Sequence, residues 1–136
     1  MAIALLSVGL MGLLIFLLGA NVSRERRSLT VTPHEAEANP KSALRKAIRA
    51  HGNCIEYAPM LSLMILALGL RLPLLPWWIA ALMLGAVASR YIHALSILTG
   101  ESIYSATMLK MIGAAGTYLT GAILSIILII RALALL

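Results

Sequence analysis

The sequence is poor in acid, in aromatic rings and in cysteine, and each shortage excludes a class of protein. Five acidic residues stand against eleven lysines and arginines in 136 positions, and charged residues of all kinds make up only 12%. A water-soluble domain of this length interleaves its apolar residues with charge to keep a polar surface. Here the run from Met111 to Ile130 has no ionisable group except Tyr118, so the solvent for most of the chain is lipid. The one cysteine, Cys54, excludes an internal disulfide. No Cys/His spacing fits structural zinc, and no metal is expected. Cys54 itself reads as a small packed hydrophobe. Carboxylates are also missing from Met1 to Ser23. That argues against a small multidrug transporter, which couples transport through an embedded acid in its first helix.

What is abundant is apolar: 61% of the residues are hydrophobic. Four segments are long enough to span a bilayer, at about residues Ala2 to Val22, Ile48 to Leu70, Leu74 to Leu98 and Ile103 to Leu133. The expectation is an all-α, integral membrane four-helix bundle forming a single domain over 1–136. The first segment has no basic residues before it and arginines after it, so it reads as a retained helix and not a cleaved signal peptide. Ser23 to Lys41, with Pro33 and Pro40, reads as a surface loop leading into a helix start. Pro73 and Pro76 make the next connection tight, and Trp77 and Trp78 look like an interfacial aromatic belt. His34 and His93 stand alone without ligand spacing and read as loop or interfacial residues.

The net charge of +6 is carried by cations beside the apolar runs. Such placement points to lipid headgroups or an anionic substrate and away from nucleic acid. Arg24, Arg26, Arg27, Lys41, Arg45, Lys46, Arg49 and Lys110 fall at one face of a four-span protein, against Arg71 and Arg131 at the other. The basic face is therefore expected to be cytoplasmic, with both termini on the opposite side.

Polar residues inside the spans hold the chemistry, because lipid rejects them and they must face protein, headgroups or a ligand. The second span opens with Arg49, Ala50, His51, Gly52, Asn53, Cys54, Ile55, Glu56, Tyr57, Ala58 and Pro59. Arg49, Asn53, Glu56 and Tyr57 share an arc of about 100° on a helix, while His51 points elsewhere. At 1.5 Å per residue, Asn53 lies roughly 25 Å from the Leu70 end of its helix and Arg90 roughly 20 Å from Trp77 on the next. The two polar levels match, so Arg90 and Tyr91 are expected to face the stripe on the second span, within one subunit or between neighbours. Guanidinium groups there would take carboxylates, Glu56 an ammonium, and Asn53 would both donate and accept. That set suits a zwitterionic ligand with more than one carboxylate. The plainer alternative is a packing ion pair between Arg49 and Glu56, with Tyr57 an interfacial anchor.

The run from Arg49 to Pro59 resembles the signature of the MAPEG family, the membrane-associated proteins of eicosanoid and glutathione metabolism. The likeness extends to the Arg26, Arg27 pair ending the first helix and to Arg90 and Tyr91 on the third. It implies a homotrimer of four-helix protomers, of the small bacterial type and so in a bacterial inner membrane. It also implies glutathione, as cosubstrate, bound between subunits near the cytoplasmic face. Carried over by position, Arg49, Asn53, Glu56, Tyr57 and Tyr91 match glutathione contacts, and Arg90 joins them. His51 stands where a glutamine is common. Arg26 and Arg27 match a basic pair near the thiol end. The chain departs from the leukotriene-forming synthase where that enzyme has its thiol-activating arginine, since Ser102 occupies the place here. A second tyrosine becomes Leu95.

The resemblance implies a glutathione transferase or peroxidase acting on a lipophilic electrophile that arrives from the bilayer. The thiolate is the nucleophile, and a free thiol of pKa about 8.5 needs help to form it. Arg27 is the expected Coulombic source and Ser102 the expected hydrogen-bond donor. The departures at Ser102 and Leu95 keep open a second class: a non-catalytic scaffold that binds glutathione or lipid.

Overall fold

The computed structural model describes residues 1–72 and 74–135; Pro73, half of the proline pair noted above, lies outside them. Five helices follow in order: α1 (Ala2–Arg27), α2 (Pro33–Ala38), α3 (Ala43–Arg71), α4 (Trp77–Thr99) and α5 (Met108–Leu133). All except α2 are long and apolar enough to cross a membrane. The protein is an all-helical integral membrane protein. Its spans alternate in direction, so the α1 and α4 C-termini share one end with the α3 and α5 N-termini. The cations concentrate at that end.

Packing joins α1 to α3, α4 to α5, and α3 to α4, with α3 touching α5 only lightly. The core is built from Met11, Leu14 and Leu18 of α1, Leu61, Ile65 and Leu68 of α3, Ile79 and Met83 of α4 and Leu124 of α5. Phe16, Leu63, Leu119 and Ile129 stay exposed. In water they would be a liability; in a bilayer they are the lipid-facing surface, and backbone polarity is met within each helix. Small residues set the closest approaches. A Cβ at Gly113 would lie 2.6 Å from the backbone nitrogen of His93, and one at Gly116 would run into Ser89. Glycine at these positions lets α5 lie against the α4 backbone.

Helix ends differ from the hydropathy reading where polar chemistry decides them. α1 continues through Arg27 and α3 begins at Ala43, because charged turns can stay helical outside the hydrocarbon. α5 starts at Met108 and not near Ile103. Thr107 caps it by accepting from the Lys110 amide at 3.2 Å, and Ser102 to Ser105 form a turn closed by the Ser105 amide and the Ser102 carbonyl. The segment read as a surface loop contains α2, opened by a capping box. The Thr32 hydroxyl accepts from the Glu35 amide at 3.3 Å, and the Glu35 carboxylate takes the Thr32 amide at 3.0 Å and the Thr32 hydroxyl at 2.7 Å.

The connections at the basic end are tied together. The Ile103 amide donates to the Pro40 carbonyl at 3.0 Å, Lys46 Nζ to the Gly100 carbonyl at 3.1 Å, and Lys41 pairs with Glu101 at 3.0 Å. Lys110 Nζ donates to the carbonyls of Ile103 at 2.6 Å and Ser105 at 3.3 Å. Lys41 and Lys46, whose charge alone pointed to headgroups or an anionic substrate, thus hold one loop on the other, and Lys110 braces the α4–α5 turn from within.

Candidate functional site

α3, α4 and α5 converge on one cation. Arg90 is 1% exposed and lies within a membrane span. One terminal nitrogen donates to the Asn53 side-chain oxygen at 2.7 Å and to the Asn53 carbonyl at 3.1 Å. The other donates to the Thr117 hydroxyl at 3.3 Å, and the guanidinium carbon lies 5.3 Å from the centre of the Tyr57 ring. Its Nε has no partner among the described residues. No carboxylate pairs with it; the ion pairs among the described residues are Arg24 with Glu25, Arg26 with Glu37 and Lys41 with Glu101. A buried charge is costly unless matched, and here neutral dipoles and a ring face do the matching. The positive charge itself remains uncancelled.

Local folding explains the convergence. Gly113 brings α5 onto α4 at His93, and one turn later Thr117, which also donates to the Gly113 carbonyl at 2.7 Å, meets Arg90. His93 is buried in the same contact, with Nδ1 3.1 Å from the Lys110 carbonyl. A carbonyl only accepts, so that nitrogen holds a proton. Tyr118 adds its hydroxyl, 3.1 Å from that of Tyr57, with the rings edge to face at 5.7 Å. Beside this cluster a groove of about 270 Å³ runs along the α3–α5 seam, lined by Glu56, Tyr57, Met60, Met64, Tyr118 and Ser125 among others. Its walls are mainly apolar with an acid at one end.

The residues named from sequence are distributed unevenly. Asn53, Tyr57 and Arg90 meet. Glu56 sits at the edge, exposed, with its carboxylate 3.4 Å from the Asn53 amide nitrogen. Arg49 is exposed two turns from Tyr57 on α3. No Arg49–Glu56 ion pair forms among the described residues, so the packing role weighed for that pair is not what the structure has. Tyr91 is directed to α1, where its hydroxyl donates to the Leu10 carbonyl at 2.9 Å; adjacent residues on a helix diverge by about 100° and reach different neighbours. His51 also turns to α1, close to Gly19. Arg26 and Arg27 are exposed at the end of α1, and Arg26 is 4.0 Å from Glu37. Ser102 lies in the α4–α5 turn, its hydroxyl accepting the Tyr104 amide at 3.2 Å. Neither Arg27 nor Ser102 makes a hydrogen bond to the Arg90 cluster among the described residues. Cys54 is fully buried.

Thr117, Tyr118 and His93 are the members that sequence reasoning did not place. The signal for the first two was present, since they are polar positions one turn after a glycine in an otherwise apolar span.

The fold and this site define a polytopic membrane protein with a cation held at the junction of three spans. The family model for the MAPEG family matches residues 4–130, and the chain belongs to that family. Comparison with the curated proteins and with the solved structures gave no match.

Proposed function

We propose that this protein binds glutathione at the α3–α4–α5 junction and uses its thiol on a lipophilic electrophile drawn from the bilayer. The observation that supports this most is Arg90, buried in a span with its charge unpaired by any acid among the described residues. Intramembrane cations of this kind mark ligand sites. Arg49 and Glu56, exposed at the edge, supply the complementary charges that a dicarboxylate ammonium peptide requires. The apolar groove past Tyr57 is where the electrophile would lie, so that nucleophile and substrate meet at the lipid boundary.

In the transferase reaction the thiol gives up its proton, the thiolate sulfur bonds to the electrophilic carbon, and the displaced electron pair leaves or is protonated. In the peroxidase reaction two glutathione thiols reduce one lipid hydroperoxide to alcohol and water and become a disulfide. Arg27 and Ser102 are the proposed thiol-activating groups. They would reach the sulfur across a subunit boundary in a homotrimer, with a neighbouring copy shielding Glu56 from lipid. The basic end is assigned to the cytoplasm of a bacterial inner membrane.

A second reading, a scaffold that binds glutathione or lipid without turnover, is favoured by the position of Ser102 in the α4–α5 turn, where its hydroxyl meets the Tyr104 amide and makes no hydrogen bond to the Arg90 cluster. Titration calorimetry in detergent tests the binding. Arg49→Ala and Glu56→Ala should each weaken glutathione binding by roughly tenfold or more, the worth of a hydrogen bond to a charged group. Unchanged affinity in both variants overturns the site. An ultraviolet thiolate band on adding glutathione supports the enzyme, and binding with a neutral thiol supports the scaffold.

A further inference from the structure

The end of the bundle away from the basic loops carries a second groove. It lies where α3 and α5 finish, has a volume of about 350 Å³, and is walled by Ala67, Leu68, Leu70, Leu128, Ala132 and Leu135 with Arg71 and Arg131 at its mouth. Both arginines are exposed, and neither makes a hydrogen bond or ion pair among the described residues. They differ in this from Lys41, Lys46 and Lys110, which are all engaged by the loops at the other end.

Among the described residues, the acidic side chains are distributed so that none neutralises this pair. Glu25, Glu35, Glu37 and Glu101 belong to the basic-end segments, and Glu56 is roughly 22 Å from Arg71 along α3 at 1.5 Å per residue. That exceeds the Debye length of about 8 Å at physiological salt. Two guanidinium groups therefore flank an apolar trough at the level where a span ends and headgroups begin. The trough matches an acyl chain in polarity, and the mouth matches a phosphate, which guanidinium holds through paired hydrogen bonds.

We infer that this groove is a binding site for one anionic glycerophospholipid of the leaflet opposite the basic loops. Its acyl chain lies between the ends of α3 and α5, and its phosphate lies between Arg71 and Arg131. The lipid fills the end of the α3–α5 seam, between two helices that pack only lightly on each other. A zwitterionic headgroup fits less well because it brings an ammonium to a place that already has two cations and no acidic side chain among the described residues.

The test uses a tryptophan placed in the groove wall. In a Trp77→Phe/Trp78→Phe background, which removes both native tryptophans, Leu128→Trp reports the tail that occupies the site. The full-length protein is reconstituted in nanodiscs, and its fluorescence is quenched with brominated phosphatidylglycerol or brominated phosphatidylcholine. Phosphatidylglycerol should be preferred about 30-fold, which corresponds to about 1 kcal/mol for each of two cations near the surface. Arg71→Gln/Arg131→Gln should bring the two lipids to parity. Arg24→Gln/Lys41→Gln at the other end should leave the preference intact. The inference is overturned by equal quenching in the parent, by a preference that survives Arg71→Gln/Arg131→Gln, or by loss of the preference with the basic-end pair. Absence of quenching in the Leu128→Trp protein also overturns it, since the groove would then be covered by a second copy of the chain. Helical circular dichroism of each variant checks that the bundle is intact.

Discussion

Arg90 and Lys41 are both cations, and their surroundings treat them in opposite ways. Lys41 lies in the loop layer, more than half exposed, and meets Glu101 at 3.0 Å with that carboxylate 80% exposed. Water screens this pair and would solvate each partner equally well alone, so its worth is at most about 1 kcal/mol. Arg90 lies among three spans and is matched by a carbonyl, an amide oxygen, a hydroxyl and an aromatic face. None of these bears a charge. Where water is available the chain uses ion pairs that it could lose; where water is absent it holds a lone cation with neutral groups. The second arrangement leaves a field for an incoming anion, and a carboxylate from the chain itself would have cancelled it.

The sharpest way to break this contrast is to remove the acceptors. Asn53→Leu leaves the Arg90 nitrogen without its strongest side-chain partner, and should cost about 3 kcal/mol of stability in detergent, measured by denaturant unfolding. Adding Arg90→Met should recover at least about 1 kcal/mol of that loss, because the stranded charge is then gone. If Asn53→Leu behaves like an exposed-pair variant, the cation is better hydrated than its burial implies and the contrast fails. Next in size is Gly113→Ala. Its Cβ meets the His93 backbone, which cannot rotate aside, so about 2 kcal/mol is expected along with weaker Arg90–Thr117 contact. Gly116→Ala meets the Ser89 side chain instead and should cost about half as much. Thermal unfolding of the two variants in the same detergent orders them.

The four spans were readable because lipid as a solvent demands long apolar runs and tolerates few exceptions. The level at which Asn53 and Arg90 stand was readable for a related reason: helical rise fixes depth once a span's end is known. Azimuth was not. Tyr91 follows Arg90 directly, yet it reaches Leu10 of α1, and only the packing of α4 among α1, α3 and α5 decides that. Thr117 was visible as a polar position in a mostly apolar span, but its partner was not, because only the packing of α5 on α4 brings it to Arg90. α2 was missed because one turn of helix has no hydrophobic period; the Thr32, Pro33 and Glu35 spacing was its sole trace. Tyr91→Phe sharpens the azimuth argument. It should lose about 1 kcal/mol, the worth of one buried hydrogen bond, while leaving glutathione affinity within about twofold if the tyrosine serves α1 packing alone, as calorimetry would read.

At the loop end the effects should shrink. Lys41→Gln and Glu101→Gln should each change stability by no more than about 1 kcal/mol and together by little more, with the difference vanishing in high salt. A larger value would mean that the ion pair, and not the Ile103–Pro40 and Lys46–Gly100 ties, holds the two connections.

The smallest expected effect is a titration. The Thr32 hydroxyl, and then the Thr32 amide, donate to the Glu35 carboxylate and hold its pKa below the usual carboxylate value. A lowered pKa in the folded state means that the capping contribution is complete above the ordinary carboxylate pKa, near about 4.3, and fades as pH falls through the lower folded value. Near neutral pH the Thr32–Glu35 capping box should therefore contribute no pH dependence. The amide resonance of Thr32, followed by NMR in nanodiscs, should titrate with a midpoint below that of a free glutamate. Thr32→Ala removes the larger of the two donors and should move the midpoint, read at the residue 32 amide, back up toward the free value. An unshifted midpoint in the parent would leave the helix start held by the backbone and Pro33 alone, with the box contributing nothing that charge can sense.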